Sequence, residues 1–198
     1  MDFSNSFTTI NLTFFLRPTT PITKDLCHFN DGFQLSTRRK DLRRIKTAGF
    51  VTEFGAVSES ATGLAEVRFV ADHFDGDDKD TSMPLSWFYW IRIPPQDDYR
   101  KELARTFAPK VAGDILRHAF DASSGAFQLE FRAATTAATE VFIHAALNYP
   151  HGYSVETSPQ GCVSFEKPSW TKSGSIAFTA SSACFGTTIA IRVSAKAP

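Results

Sequence analysis

Gly49-Phe50-Val51-Thr52-Glu53-Phe54-Gly55-Ala56 is the stretch whose reading decides the fold. Phe50 to Thr52 read as a short buried strand, Glu53 as an acidic residue at its end, and Gly55 as a point where the backbone can turn sharply. An acidic residue that closes a strand stands on the rim of a sheet. In an (α/β) barrel the C-terminal rim of the strands carries the active site, so Glu53 is the first candidate catalytic residue. The plain alternative is a solvated carboxylate at a strand end, the common fate of a glutamate.

Upstream, residues 1–34 mix Phe14 and Phe15 with Pro18, Pro21 and Asn30-Asp31-Gly32, and read as irregular. From there Ser36 or Thr37 caps a basic amphipathic helix carrying Leu42 and Ile45, which Gly49 ends in a left-handed conformation. Its Arg39, Lys40, Arg43 and Arg44 form a basic patch facing solvent. Downstream of Glu53, Ser58-Glu59-Ser60 is a polar loop, and Leu64, Val67, Phe69, Val70 and Phe74 recur at helical spacing. Leu85-Ser86-Trp87-Phe88-Tyr89-Trp90-Ile91 then reads as a strand buried on both faces, as parallel strands are. Helix, strand, helix, strand is a βα repeat with parallel strands.

Pro94-Pro95-Gln96-Asp97-Asp98 breaks the repeat, and beyond Gly113 the pattern is all β. Ile115 to Phe120, Phe127 to Phe131, Glu140 to His144, Val163 to Phe165, Ile176 to Phe178 and Thr188 to Val193 alternate apolar and polar residues between turn signals. That spacing predicts an antiparallel sandwich. The fold expected is thus α/β followed by all-β, with domains over 1–105 and 106–198.

With 198 residues and 42% apolar content the chain can bury a sizeable core. Lys plus Arg and Asp plus Glu are 21 each, so nothing in the balance points to nucleic acid or an anionic membrane surface as an obligatory partner. Nineteen phenylalanines favour strand-rich cores, and exposed aromatics serve as stacking platforms for sugars. Cys27, Cys162 and Cys184 are too few for a zinc site; Cys162 and Cys184 pair if their strands abut, but two buried thiols are the preferred reading. The compartment stays open. Leu12 to Leu16 is too short for a signal core or a membrane span, and Asn11-Leu12-Thr13 fits a glycosylation acceptor, a triplet common by chance.

Other candidates have bland readings. His28, His73, His118, His144 and His151 show no catalytic spacing with Asp or Ser and read as surface or core residues. Asp72, Asp75, Asp77, Asp78 and Asp80 lack the ordered pattern of a calcium loop and read as a solvated helix end. No metal or cofactor is expected, nor an obligate protein partner.

Thr52-Glu53-Phe54-Gly55 after an apolar strand, followed by an aromatic strand ending in Trp90, resembles the end of a glycoside hydrolase family 5 barrel. Arg105-Thr106-Phe107-Ala108-Pro109-Lys110-Val111-Ala112-Gly113 is similar to the linker that joins barrel to sandwich in the endoglycoceramidase branch of that family. Phe127-Gln128-Leu129-Glu130-Phe131 and Asn148-Tyr149-Pro150-His151-Gly152-Tyr153 also resemble that sandwich. The resemblance covers residues 40–198. It implies that the first domain is the last two βα units of a (β/α)8 TIM barrel, that Glu53 is the nucleophile of a retaining glycosidase, and that Trp90 or Trp87 lines the sugar subsite. Side chains alternate along a strand, so only one of the two tryptophans faces the barrel interior, and Trp90, nearest the rim, is preferred.

The family's acid/base glutamate sits in Asn-Glu-Pro, and no such triplet occurs here. The expectation is therefore a C-terminal piece of an endoglycoceramidase-like hydrolase of O-glycosyl bonds, with a carbohydrate or glycolipid substrate and membrane-surface contact through that lipid. The alternatives are a non-catalytic glycan- or lipid-binding sandwich, with Trp170, Tyr149 and Tyr153 near its turns, or an inactive pseudoenzyme fragment.

Overall fold

A computed structural model describes residues 8–10, 21–55, 60–76, 83–90, 97–166 and 173–197. The chain divides into two units, Met1–Tyr99 and Arg100–Pro198. Asn11-Leu12-Thr13, Leu12 to Leu16, Ser58-Glu59, Asp77, Asp78, Asp80 and Trp170 lie outside the described residues.

The first unit runs β1 (Thr8–Ile10), α1 (Pro21–Ile45), β2 (Gly49–Gly55), α2 (Ala61–Asp75) and β3 (Ser86–Trp90). The strands pair in the order β1-β2-β3, parallel throughout. Each consecutive pair is joined by one helix, the βαβ arrangement in which a parallel sheet is covered by its crossovers. Ser60 starts α2 by accepting the Gly63 N–H at 3.1 Å. The buried side of β2, Val51 and Phe54, meets Phe74 of α2, with the Phe54 and Phe74 rings edge to face at 4.9 Å.

Five expectations need correction in this unit. Residues 21–34 are not irregular; they form the first half of α1, which opens with Pro21, a residue suited to the first helical position. Its period escapes a hydrophobic reading because its fully buried positions include Asp31 and Arg39 beside Leu35 and Leu42. Arg39 accordingly does not face solvent: its guanidinium donates to the carbonyls of Met83 and His73. The helix is closed not by Gly49 but by Lys46, at φ 54°, with Thr47 N–H donating to Leu42 at 3.1 Å. Gly49 is needed for another reason, since a Cβ there would lie 2.5 Å from Leu42 Cδ1 and 2.6 Å from Leu85 Cδ2. Finally, β3 is covered on one face only. Trp87 and Tyr89 are partly buried while Ser86, Phe88 and Trp90 are exposed. The acidic helix end also differs, because Asp75 is buried.

α3 (Asp97–Leu103) contains the division between units. Among the described residues the second unit holds eight strands: β4 (Phe107–Lys110), β5 (Gly113–Asp121), β6 (Ala126–Ala133), β7 (Ala138–Ile143), β8 (Tyr153–Ser158), β9 (Val163–Phe165), β10 (Gly174–Ala180) and β11 (Thr188–Ala195), with a short α4 (Ala145–Asn148). They form two four-stranded antiparallel sheets, β4-β7-β10-β9 and β5-β6-β11-β8. Alternation sends Phe127, Leu129 and Phe131 of one sheet and Val141, Ile143, Ile176 and Phe178 of the other into a single core. Two strands were not read from the sequence. β4 falls in the stretch that resembles a linker and β8 in a stretch without a strand pattern, because β4 has no buried position and β8 only one.

Cys162 and Cys184 form a disulfide, Cα atoms 5.6 Å apart, rather than two separate thiols. Strand spacing alone could not decide this, because the pairing depends on which turn lies over which strand end.

Candidate functional site

β2 and β3 are out of step around Glu53. Val51 pairs with Trp87 and Phe54 with Tyr89, so the segment Val51 to Phe54 holds one more residue than its partner. Thr52 and Glu53 occupy this β-bulge, a feature that re-aims side chains and concentrates next to active sites. The sequence carried a signal for it: two consecutive polar residues between inward-facing Val51 and Phe54 violate the period of two. Glu53 is partly buried.

Past the bulge, Gly55 pairs with Trp90 at the C-terminal ends of the two parallel strands. Gly55 adopts φ 125°, and a Cβ there would meet the Tyr89 ring at 2.8 Å and the Trp90 carbonyl at 3.1 Å. Any other residue would push β3 away from Glu53.

The aromatic rings sort into two faces. Trp87 packs edge to face on Phe54 at 5.1 Å and also meets Phe74, so it belongs to the side that α2 covers. Phe88 meets Phe50 edge to face at 5.4 Å on the opposite side, where Phe88 is 64% and Trp90 54% exposed. Phe50 and Phe88 were not singled out from the sequence, although the same alternation that separated Trp87 from Trp90 places them beside Trp90.

Among the described residues, no hydrogen bond or ion pair joins a histidine or a second carboxylate to Glu53, and His28 and His118 make other contacts. His28 Nε2 and Glu66 Oε2 lie 2.9 Å apart between α1 and α2, with the His28 ring stacked on Phe69 at 3.9 Å. That pair was not anticipated, since one partner lay in a stretch read as irregular. His118 is buried and its Nε2 accepts the Ala108 N–H at 3.2 Å. Among the described residues no cluster of three His, Cys, Asp or Glu is placed to hold a metal ion.

In the second unit the two remaining motifs meet. Arg105 Nη2 donates to the Phe120 carbonyl at 2.9 Å, and the guanidinium lies over the Phe120 ring at 5.2 Å. Thr106 Oγ1 and Tyr149 Oη are 2.8 Å apart, and Asn148 Nδ2 donates to the Ala104 carbonyl. Burial pushes the Tyr149 phenol up to about 12 and raises that of Tyr153, whose ring lies 5.2 Å away. Both tyrosines are core residues, not the surface platforms the turn suggested.

Residues 105–193 match the glycoside hydrolase family 5 C-terminal domain. The chain is related to the family 5 endoglycoceramidases. An endoglycoceramidase of Cyanea nozakii is 27% identical over 164 residues, 70% of this chain and 31% of the relative. Endoglycoceramidase I of Rhodococcus hoagii is 30% identical over 117 residues, 54% of this chain and 20% of the relative. The chain thus spans less than a third of these curated relatives. In fold, Endo-glycoceramidase II from Rhodococcus sp., solved with ganglioside GM3, matches 96% of this chain and 42% of its own at TM-score 0.69 and 13% identity.

Proposed function

We propose that this chain carries the closing part of a retaining family 5 glycosidase acting on glycosphingolipids. The parallel unit would be the last strands of its (β/α)8 barrel, and Glu53 its nucleophile. The observation that carries the reading is the bulge at Thr52-Glu53, two residues before the Gly55–Trp90 pair that closes two parallel strands, with the Trp90 indole half-exposed. Glu53 attacks the anomeric carbon, the leaving oxygen departs with a proton from a second carboxyl group, and water then cleaves the glycosyl ester with that group acting as base. Trp90, on the open face with Phe88, stacks on the sugar; Trp87 keeps its place under α2. The second carboxyl group comes from barrel strands outside these residues, as no Asn-Glu-Pro is present.

In a protein carrying the complete barrel, a fluorinated β-lactoside with a dinitrophenolate leaving group should add one glycosyl mass to the Glu53 peptide, and Glu53→Gln should abolish the label. A label on another carboxylate, or full turnover by Glu53→Gln, would remove the assignment. The 198-residue chain alone should hydrolyse no glycosphingolipid; turnover by it would overturn the missing-acid half of the reading.

A further inference from the structure

The outward side of α1 carries exposed phenyl rings and exposed cations. At 100° per residue, Phe29, Phe33, Lys40, Arg43 and Arg44 fall within an arc of about 100°. The buried set Asp31, Leu35, Arg39 and Leu42 lies on the other side of the helix. Phe29 is 73% and Phe33 64% exposed, one turn apart, and Lys40, Arg43 and Arg44 are exposed further along the same side. From Phe29 to Arg44 the stripe is about 22 Å long. The whole chain is neutral, yet residues 38–46 hold five exposed cations and one acid. That acid, Asp41, lies 3.5 Å from both Arg38 and Arg44 and leaves the patch positive.

Cations at a helix C-terminus ordinarily offset the dipole, which accounts for Arg43 and Arg44. It does not account for Lys40, nor for two phenyl rings held in water one turn apart, each forgoing the gain of burial. Exposed rings next to exposed cations suit an anionic lipid surface, where rings enter the acyl boundary and cations meet phosphates.

We propose that α1 docks this protein on an anionic phospholipid surface through Phe29 and Phe33, with Lys40, Arg43 and Arg44 on the headgroups. The inference draws on the glycolipid reading only for its use: an enzyme of membrane lipids gains from residence on the bilayer. Its test needs no glycolipid, so it stands or falls separately.

The intact chain is sedimented with phosphatidylcholine vesicles containing about 30% phosphatidylserine, and with phosphatidylcholine alone. Binding to the anionic vesicles, weakened by added salt, is expected. Phe29→Ser with Phe33→Ser should weaken it at least about tenfold, and Lys40→Ala with Arg44→Ala about 30-fold. All four side chains are exposed, so the melting temperature of each double variant should match the parent. Absent binding, equal binding to neutral vesicles, or unchanged binding by both variants would overturn the proposal. So would parent self-association, seen by light scattering and lost in the phenylalanine variant, because the stripe would then face a second copy.

Discussion

The two units solve the problem of covering a sheet differently. In the second, each sheet covers the other: Phe127, Leu129 and Phe131 face Val141, Ile143, Ile176 and Phe178 in one core. In the first, helices cover one face, burying Val51, Phe54 and Phe74, while Phe88 and Trp90 stand exposed on the other. A sheet that closes on its partner spends its aromatics on stability; a sheet with an open face has aromatics to offer a ligand. The difference assigns the candidate chemistry to the first unit and the structural support to the second.

The largest expected effect breaks the core. Phe131→Ala should destabilise the second unit by about 3–5 kcal/mol in urea melts, whereas Phe88→Ala should stay within about 0.5 kcal/mol. A large cost at Phe88 would mean that the open face is itself a packed core. Next is the disulfide, whose 22-residue separation predicts about 3 kcal/mol from loop closure. Cys162→Ser with Cys184→Ser should lower the unfolding midpoint of the sandwich strands by hydrogen exchange and leave β2 and β3 protection unchanged.

Smaller is the hydrogen bond joining the two family motifs. Tyr149→Phe leaves the buried Thr106 hydroxyl without its partner and should cost about 1–2 kcal/mol. In the parent, burial raises the phenol above its unfolded value, so its contribution is intact below about pH 10 and is lost as pH rises through about 12. Asp121 gives the smallest and opposite effect. Hydroxyls of Ser123 and Ser124, each 2.6 Å from its carboxylate, hold it down to about 2. A depressed carboxyl contributes above its unfolded pKa of about 4, and the contribution is lost as pH falls through about 2. Asp121→Asn should flatten acid unfolding in that window, as followed by circular dichroism; an unchanged acid limb would count against the turn.

Legibility followed how regularly burial tracks the chain. β6 is plain because buried and partly exposed residues alternate from Phe127 to Ala133. The first half of α1 gives no hydrophobic signal because Asp31 fills a fully buried position that such a pattern leaves to apolar residues. β3 was misjudged because a run of aromatics reads as two buried faces whether or not anything lies on the second. Glu53 stood out through its strand-end position, and Trp90 through alternation. The bulge at Glu53 had only the Thr52-Glu53 doublet to announce it.

By itself the sequence determined the change from a βα repeat to an antiparallel sandwich and the parallel sense of β2 and β3, because local periodicity and turn chemistry encode these. Tertiary structure alone decided that Cys162 meets Cys184, that Arg39 goes inside, and that Phe88 and Trp90 share an open face. Each of those depends on which distant segments come to lie against one another, and pairwise contact across a fold is not written in the spacing of any single stretch.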